Sequence, residues 1–288
     1  NNDIMNDNSS WIPVGDFWDN MAVSSMTSDP NNPNIFYVGT GEAFTAVTIY
    51  RESSGRGVGI WKTSDGGETW ELLSSSENFA YVTDVAVRDE GGASVIYAGV
   101  VSGVYYGTHE SFPSDGLYRS ADGGISWEQV LPIIYGESMP YAPSDIEIGA
   151  DGRIFVGTLK NLDGEGGAVI LYSDSGLPES WTIFDHYQNI IEGHNTYNIP
   201  GRVVLASALS NENIVYAVIG SGYLNEYGFN YSYGNYILRS TNKGLTWQER
   251  NTPEDYDDHS WATLAWHALS IAVDPNDQNH IFIGGLDL

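Results

Sequence analysis

Two aspartates stand at the same place in successive copies of a repeated strand pattern. Asp84 lies near the start of the apolar run Val82–Val87, and Asp145 opens the run Asp145–Ile148. Two carboxyl groups roughly 5–10 Å apart can hydrolyse a glycosidic bond, one as acid and the other as base or nucleophile. Glu42 is a weaker candidate of the same kind. Because repeat-equivalent residues are often structural, we favour the alternative that each aspartate caps loop amides or an adjacent strand.

Aromatic and polar residues are concentrated in the long segments between the predicted strands. Aromatic rings can stack on the C–H faces of a sugar, while nearby polar groups bond to its hydroxyls. The candidate ligand-binding residues are Tyr223, Tyr227, Tyr231, Tyr233, Trp261, His259, His194 and Arg202. The alternative is that these side chains fold back and pack the segments themselves.

Three octapeptides with the same internal spacing determine which elements position these residues. They read [Ser/Thr]-x-[Asp/Asn]-x-Gly-x-[Ser/Thr]-Trp and begin at Thr63, Ser120 and Ser240. The Asp or Asn side chain can accept backbone amides and close a tight turn, and the Gly permits a positive φ. We therefore predict a hairpin at each octapeptide, with the Trp opening the second strand. The structural turn residues are Asp65, Gly67, Trp70, Asp122, Gly124, Trp127, Asn242, Gly244 and Trp247.

A second repeated element precedes each octapeptide and reads apolar strand, polar turn, apolar strand. Its clearest copies surround Asp29–Asn34 and Asp274–Asn279. Four strands, A to D, therefore recur along the chain, which is typical of propeller blades. We predict an all-β fold, a β-propeller of four-stranded antiparallel blades forming one domain. The expected units are a partial blade at 1–20, blades at about 21–75, 81–131, 141–184 and 201–250, and a partial blade at 266–288.

The octapeptide resembles the Asp-box, or BNR repeat, of β-propellers in sialidases, sortilin-type receptors, xyloglucanase-type glycoside hydrolases and large secreted bacterial surface proteins. The resemblance covers nearly the whole chain, and the last group is the most similar. It implies the fold and leaves the function open, because Asp-box propellers include both enzymes and binders. Seven or eight blades are usual in such relatives, so the resemblance implies part of a larger propeller. Alternatively, an N-terminal D strand at Trp11–Val14 closes the final blade.

Typical sialidase chemistry is disfavoured by the arginines. That chemistry needs three arginines converging on the substrate carboxylate, together with a tyrosine nucleophile. Arg119 and Arg239 lie beside the octapeptide turns, on the face opposite the long connectors.

The composition excludes several classes of partner. The formal net charge is −27, from 38 acidic residues and 11 lysines and arginines, which opposes binding to nucleic acid or to an anionic membrane surface. Such charge favours solubility outside the cell, although acidic loops could also hold a divalent cation such as Ca²⁺. With 0 cysteines the chain has neither a disulfide framework nor thiolate metal sites, and we expect no organic cofactor. No segment is long and apolar enough to insert into a bilayer.

The lengths of the connectors between strands predict which face of the propeller carries the function. The A–B and C–D turns are short, whereas the B–C and D–A connectors are long loops that share the opposite face, where binding usually occurs. The B–C loops span 42–56, 101–115 and 221–235, and the D–A loops span 132–144, 185–201 and 253–268. We expect a secreted or cell-surface bacterial module, in a polypeptide with further domains, that presents this face to a glycan or a surface protein. The alternatives are an endo-acting glycoside hydrolase using Asp84 and Asp145, and a structural spacer of a surface filament or adhesin. A non-catalytic role is favoured, because the scaffold signal is strong and the catalytic signal is weak.

Overall fold

The computed structural model describes residues 18, 22–43, 55–105, 108–111, 115–194, 198–224, 230–254 and 261–285. Within these ranges the chain forms four antiparallel sheets of four strands each and two sheets of two strands. We call the four-stranded sheets blades 1 to 4, and the later two-stranded sheet, near residue 280, sheet 5. Their strand order and pairing are those of β-propeller blades, as the repeat predicts.

The blades follow one another along the chain. Blade 1 contains β1 (Val23–Asp29), β2 (Asn32–Thr40), β3 (Ile60–Thr63) and β4 (Glu71–Leu72). Blade 2 contains β5 (Val82–Asp89), β6 (Ser94–Val100), β9 (Gly116–Ser120) and β10 (Glu128–Gln129), with the hairpin β7 (Gly103–Tyr105) and β8 (Thr108–Glu110) inserted. Blade 3 contains β11 (Ala142–Ile148), β12 (Ile154–Leu159), β13 (Ile170–Ser173) and β14 (Thr182–Phe184). Helix α1 (His186–His194) leads to blade 4, which contains β15 (Asn198–Ser207), β16 (Val215–Leu224), β17 (Asn230–Ser240) and β18 (Gln248–Arg250). Sheet 5 contains β19 (Ser270–Asp274) and β20 (Asp277–Gly284).

The first strand of each blade is the innermost. β5 contacts both β1 and β11, and β15 contacts both β11 and β19, so the first strands stand side by side. Each first strand begins opposite the end of the second strand, as in the pair Val82↔Val100. The B–C and D–A connectors therefore lie at one end of the blades, which we call the long-connector face.

The octapeptide turns are closed by their own polar side chains. In the first copy, Asp65 Oδ1 accepts the Thr69 amide at 2.9 Å and the Thr63 hydroxyl at 2.7 Å. Gly66 and Gly67 have φ of 77° and 96°, a region that L-residues with a side chain avoid. Trp70 donates its indole N–H to Gly67 O at 3.1 Å, so the ring packs under the turn. The hairpin predicted from each octapeptide is therefore present, with Asn242 taking the place of aspartate in the third copy.

The hydrophobic core lies between neighbouring blades. One cluster joins Tyr97 of blade 2 to Ile146 and Leu171 of blade 3. The next joins Phe155 of blade 3 to Leu205 of blade 4. The second strands read as nearly continuous apolar runs because both of their faces are covered by adjoining blades.

Three elements differ from the sequence-based expectation. The segment 185–201 was predicted as an irregular connector, but residues 186–194 form α1, which buries Tyr187 and Ile191 against blade 4. The connector 101–115 contains the β7–β8 hairpin. The tyrosine-rich segment 221–235 was predicted as a loop, yet β16 and β17 continue into it as paired strands. Alternating tyrosines favour strand, and that preference prevails once the neighbouring strand is in register.

Candidate functional site

The candidate carboxylates occupy equivalent positions at the long-connector end of the inner strands. Asp84 pairs with Gly99 across blade 2, and Asp145 pairs with Gly157 across blade 3, each beside a bulge in the first strand. A Cβ on Gly157 would lie 2.7 Å from Val203 O of the next blade, so glycine is required where the blades approach. Ser25 occupies the same position in blade 1, opposite Gly39.

Asp84 is held by hydrogen bonds on both sides. Its Oδ1 accepts the Ser25 hydroxyl at 2.5 Å and the Val85 amide at 2.8 Å. Its Oδ2 accepts the amide of Ile146 in the next blade at 2.8 Å. Burial raises the pKa of Asp84, although these three donors oppose the shift. The carboxyl group therefore bridges three inner strands, which is the structural alternative considered for it.

Asp145 accepts fewer hydrogen bonds than Asp84, and its charged form is less favourable in the folded protein. Its Oδ2 accepts the Leu205 amide of blade 4 at 2.6 Å. Burial, followed by the negative charge of Asp84, raises the pKa of Asp145 well above its ordinary value. A carboxyl group that keeps its proton near neutral pH can act as a general acid. The pKa of Asp145 is therefore shifted in the direction that a general acid requires, and Asp84 is the neighbouring carboxyl group whose charge contributes to that shift.

Glu147 extends this group and was not predicted from the sequence. It follows Asp145 by two residues on the same strand face, and its Oε1 accepts the amide and hydroxyl of Ser207 at 2.9 and 2.5 Å. Burial raises the pKa of Glu147 as well. The period-2 alternation of a strand was the signal that could have identified it. We call Asp84, Asp145 and Glu147 the axial acids.

Arg202 is a buried cation that interacts electrostatically with Asp145, Glu42 and Asp84. Its charge opposes the rise in the pKa of both Asp84 and Asp145, while burial lowers the pKa of the guanidinium itself. Its Nη1 and Nη2 also donate to the carbonyls of His267 and Leu269 at 3.0 and 3.2 Å. The connector before sheet 5 thus holds the Arg202 guanidinium where its charge acts on Asp84 and Asp145.

The inner strands share a repeated hydroxyl contact as well. Ser24 donates to Val82 O, Thr83 to Pro143 O at 2.8 Å and Ser144 to Val203 O at 2.6 Å. Each donor lies in one blade and its acceptor in the next. The axial acids therefore stand within a regular ladder that fixes the spacing of the blades.

The candidate aromatic site lies on an extension of blade 4. Tyr223 of β16 and Tyr233 of β17 stack with ring centroids 6.3 Å apart and 18° between their planes. Tyr223 is 39% exposed. Tyr233 also pairs through its backbone with Thr263, so the connector before sheet 5 supports the extension. A fixed, partly exposed pair of rings on paired strands is a suitable platform for a flat apolar ligand surface.

The remaining predicted ligand residues are distributed differently. Trp261 is partly buried and packs against Val218 and Leu269 between blade 4 and sheet 5. Tyr231 lies in β17 and His194 ends α1, but their side chains fall outside the described part of the structure. Tyr227 and His259 also lie outside the described residues.

Across the described residues, no three or more His, Asp or Glu side chains are grouped so as to hold a metal ion. None of the helices described is long and apolar enough to cross a membrane.

Comparison with known proteins supports the propeller class. The crystal structure of the GH74 enzyme from Niastella koreensis superposes on 91% of this chain and 35% of its own, with a TM-score of 0.55 and 18% identity. At that identity the likeness concerns the fold alone. No protein-family model matches the chain.

Two curated proteins are similar in sequence. A xyloglucanase from Paenibacillus sp is 25% identical over 52% of this chain and 20% of that protein. Xyloglucanase Xgh74A from Acetivibrio thermocellus is 24% identical over 46% of this chain and 15% of that protein. The chain thus spans a fifth or less of the length of these curated relatives, which by name act on a glycan.

Proposed function

We propose that this propeller binds a neutral polysaccharide of the xyloglucan type through its long-connector face. The observation that carries the proposal is the stacked pair Tyr223 and Tyr233 on the extension of blade 4. The similarity to two xyloglucanases supports a glucan ligand. The net charge of −27 favours a neutral ligand over an anionic one, since like charges repel.

The ring pair suits an extended sugar chain. Two tyrosines that are held by cross-strand pairing lose little conformational entropy when a ligand binds. Asn235, two residues beyond Tyr233, donates to Ser221 Oγ at 2.5 Å and lies at the surface. Its amide is thereby oriented beside the rings, where it can bond to a sugar hydroxyl.

The experiment is affinity electrophoresis through a gel containing xyloglucan, with calorimetric titration of a xyloglucan oligosaccharide. We expect Tyr223→Ala and Tyr233→Ala to weaken binding about tenfold or more, as truncation of a central aromatic contact usually does. Tyr135→Ala is the matched control, because Tyr135 is 101% exposed in another long connector. Equal affinity in wild type and both site variants would contradict the proposal.

A second candidate function is endo-hydrolysis of the same polysaccharide, with Asp145 as acid and Asp84 as its partner. The raised pKa of Asp145 favours it. The three hydrogen bonds that occupy Asp84 favour binding without catalysis. Release of reducing sugar that disappears in Asp145→Asn, while this variant is still retarded in the xyloglucan gel, would favour hydrolysis.

Three further assignments accompany this proposal. The octapeptide turns are Asp-box turns with a purely structural role, since both carboxylate oxygens of Asp65 and of Asp122 accept hydrogen bonds from within the turn. The polypeptide acts outside the cell, where such a polysaccharide is met. We also infer further domains in the polypeptide, because the matched segment covers only 20% of the Paenibacillus xyloglucanase.

A further inference from the structure

A cleft lies between blades 2 and 3 at the end of the blades opposite the long connectors, which we call the short-turn face. Its volume is about 370 Å³, near the lower end of the range for small-molecule sites. Blade 2 lines the cleft with its A–B turn and the end of its third strand, and blade 3 with its A–B and C–D turns. The lining includes Arg88, Glu90 and Arg119 of blade 2 and Asp151, Ser175 and Leu177 of blade 3.

The C–D turn that forms one wall of the cleft differs from the three octapeptides. It spans Ser173–Trp181 and is one residue longer than each octapeptide. Ser175 stands where the octapeptides have Asp or Asn, and Ser173 Oγ closes the turn by accepting the Gly176 amide at 2.8 Å. None of the turn amides described donates to the Asp174 carboxylate, which lines the cleft instead.

Arg88 fixes the two walls relative to each other. Its Nη1 donates to Gly152 O at 3.1 Å and Asp174 O at 3.0 Å, and its Nη2 donates to Ser175 O at 2.5 Å. On the side of blade 2, its Nε donates to Glu90 Oε1 at 3.1 Å. Arg88 is only 6% exposed, so this guanidinium serves the structure of the cleft. Walls that are held in place before a ligand arrives reduce the entropic cost of binding.

Other polar groups of the cleft have unused hydrogen-bonding capacity. Arg119 donates from Nε to the Tyr97 hydroxyl at 3.2 Å and from Nη2 to Glu90 Oε2 at 2.6 Å, while its Nη1 donates to none of the described residues. The Ser175 hydroxyl accepts the Leu177 amide at 3.3 Å and gives its own hydrogen to no described acceptor. The cleft therefore offers a guanidinium donor, a hydroxyl and the second lone pair of a carboxylate oxygen.

The charges in the cleft favour a neutral ligand. An anion that approached Arg119 would meet Glu90 and Asp89, and a cation that approached Glu90 would meet Arg88 and Arg119. A sugar hydroxyl accepts from a cation and donates to a carboxylate at the same time, so it suits such paired groups. Three of the lining carboxylates are paired in this way. The pairs are Glu90 with Arg88 and Arg119, Asp151 with Lys243, and Asp174 with Arg153.

We propose that this cleft binds one neutral pyranose unit, with sugar hydroxyls on Arg119 Nη1, Glu90 and Ser175. Leu177, which is 44% exposed, supplies an apolar edge for a C–H face of the ring. The unit is a free monosaccharide or the end of a polysaccharide chain, and the two sources share this chemistry. The proposal does not depend on the tyrosine pair, which lies on the long-connector face.

The test is a ligand-observed NMR titration with D-glucose, D-galactose and D-xylose, each added separately. It is made on the Tyr223→Ala/Tyr233→Ala protein, so that only the cleft is probed. We expect saturable binding of at least one of these sugars in the millimolar range. D-Glucuronate should bind about tenfold more weakly than D-glucose or worse, because its carboxylate is repelled by Asp89 and Glu90.

Three substitutions in the same background locate the bound sugar. Arg119→Lys keeps a cation for Glu90 but removes the Nη1 donor, and it should weaken binding about tenfold or more. Leu177→Ala should weaken binding about threefold, through lost apolar contact. Leu245→Ala is the matched control, since Leu245 follows a glycine in the C–D turn of blade 4, is 58% exposed and lies outside the cleft. Its affinity should stay within about twofold of the background protein.

The outcomes separate the possible ligands. Displacement of the bound monosaccharide by a xyloglucan oligosaccharide would identify a chain end as the source, and retention of the monosaccharide would identify a free sugar. Undiminished affinity in both Arg119→Lys and Leu177→Ala, at unchanged urea midpoints, would overturn the proposal. Absence of saturable binding by all three sugars would also overturn it, and binding of Nα-acetyl-lysine instead would assign the cleft to a cationic side chain.

Discussion

The carboxyl groups of Asp145 and Asp122 are placed in opposite electrostatic surroundings. Burial and the Asp84 charge raise the pKa of Asp145. The Ser126 hydroxyl and amide lower the pKa of Asp122 in its solvent-exposed turn. As the pH rises, ionisation of Asp145 therefore destabilises the folded protein, whereas ionisation of Asp122 stabilises it.

Asp145→Asn is expected to stabilise the protein at neutral pH. Because the folded-state pKa of Asp145 is raised, its contribution to the free energy of unfolding is fully present below the ordinary carboxyl pKa of about 4. It is lost as the pH rises through the folded pKa. Asparagine cannot ionise and can still accept the Leu205 amide, so the urea midpoint should rise at pH 7.5, with the difference shrinking towards pH 3.5.

Asp122→Asn is the control with the opposite sign. The lowered pKa of Asp122 means that its ionised form stabilises the fold at neutral pH, so this variant should lose stability at pH 7.5 and lose less at low pH. The chain itself has asparagine at this place in the third octapeptide, where Asn242 accepts the Thr246 amide at 2.9 Å, so the turn geometry survives. Equal destabilisation of Asp145→Asn at both pH values would contradict the account.

At the scale of elements, the C–D turn of each octapeptide contains two successive residues of positive φ. These are Gly123 and Gly124 in blade 2, and Lys243 and Gly244 in blade 4. The second glycine serves two purposes, since it adopts the left-handed conformation and also leaves room for a side chain of the preceding blade, Leu73 at Gly124 and Phe155 at Gly244. Gly244 therefore allows the C–D turn of blade 4 to pack against Phe155 of blade 3.

Gly244→Ala should cost more stability than Gly123→Ala, although their φ values, 79° and 76°, are nearly equal. A Cβ at 123 would meet nothing within 4 Å, so only the left-handed backbone cost of about 1 kcal/mol applies. A Cβ at 244 would lie 2.6 Å from the buried Phe155 ring, which adds about 1–3 kcal/mol of overpacking. Urea unfolding of both variants measures the difference, and equal losses would show that the ring does not restrict the turn.

The elements that the sequence failed to predict are those decided by distant contacts. Helix α1 has nine residues and contains Gly193, so its pattern was too short and weak to be distinguished from a loop. The strand extension at Tyr223 and Tyr233 requires the cross-strand register, which turns and tertiary pairing decide. The octapeptide hairpins were predictable because their hydrogen bonds close within four residues.

At the scale of the whole molecule, the repeat predicted the propeller and the location of the candidate site but not its chemistry. The partners of Asp84 and Asp145 stand 62 and 60 residues away, so no local pattern indicates that a backbone amide occupies each carboxylate. Once the structure is known, the repeat does show which residues are equivalent, because Ser25, Asp84, Asp145 and Ser270 share one register.

The most direct test of the proposed function is calorimetric titration of a xyloglucan oligosaccharide into the wild-type protein and the Tyr223→Ala, Tyr233→Ala and Tyr135→Ala variants. The account predicts saturable binding by wild type and Tyr135→Ala, and a loss of about tenfold or more in affinity for each of the other two. Folding of the variants is checked by their urea midpoints. Absence of binding by the wild type, or undiminished affinity in both site variants, would contradict a glycan site on the long-connector face.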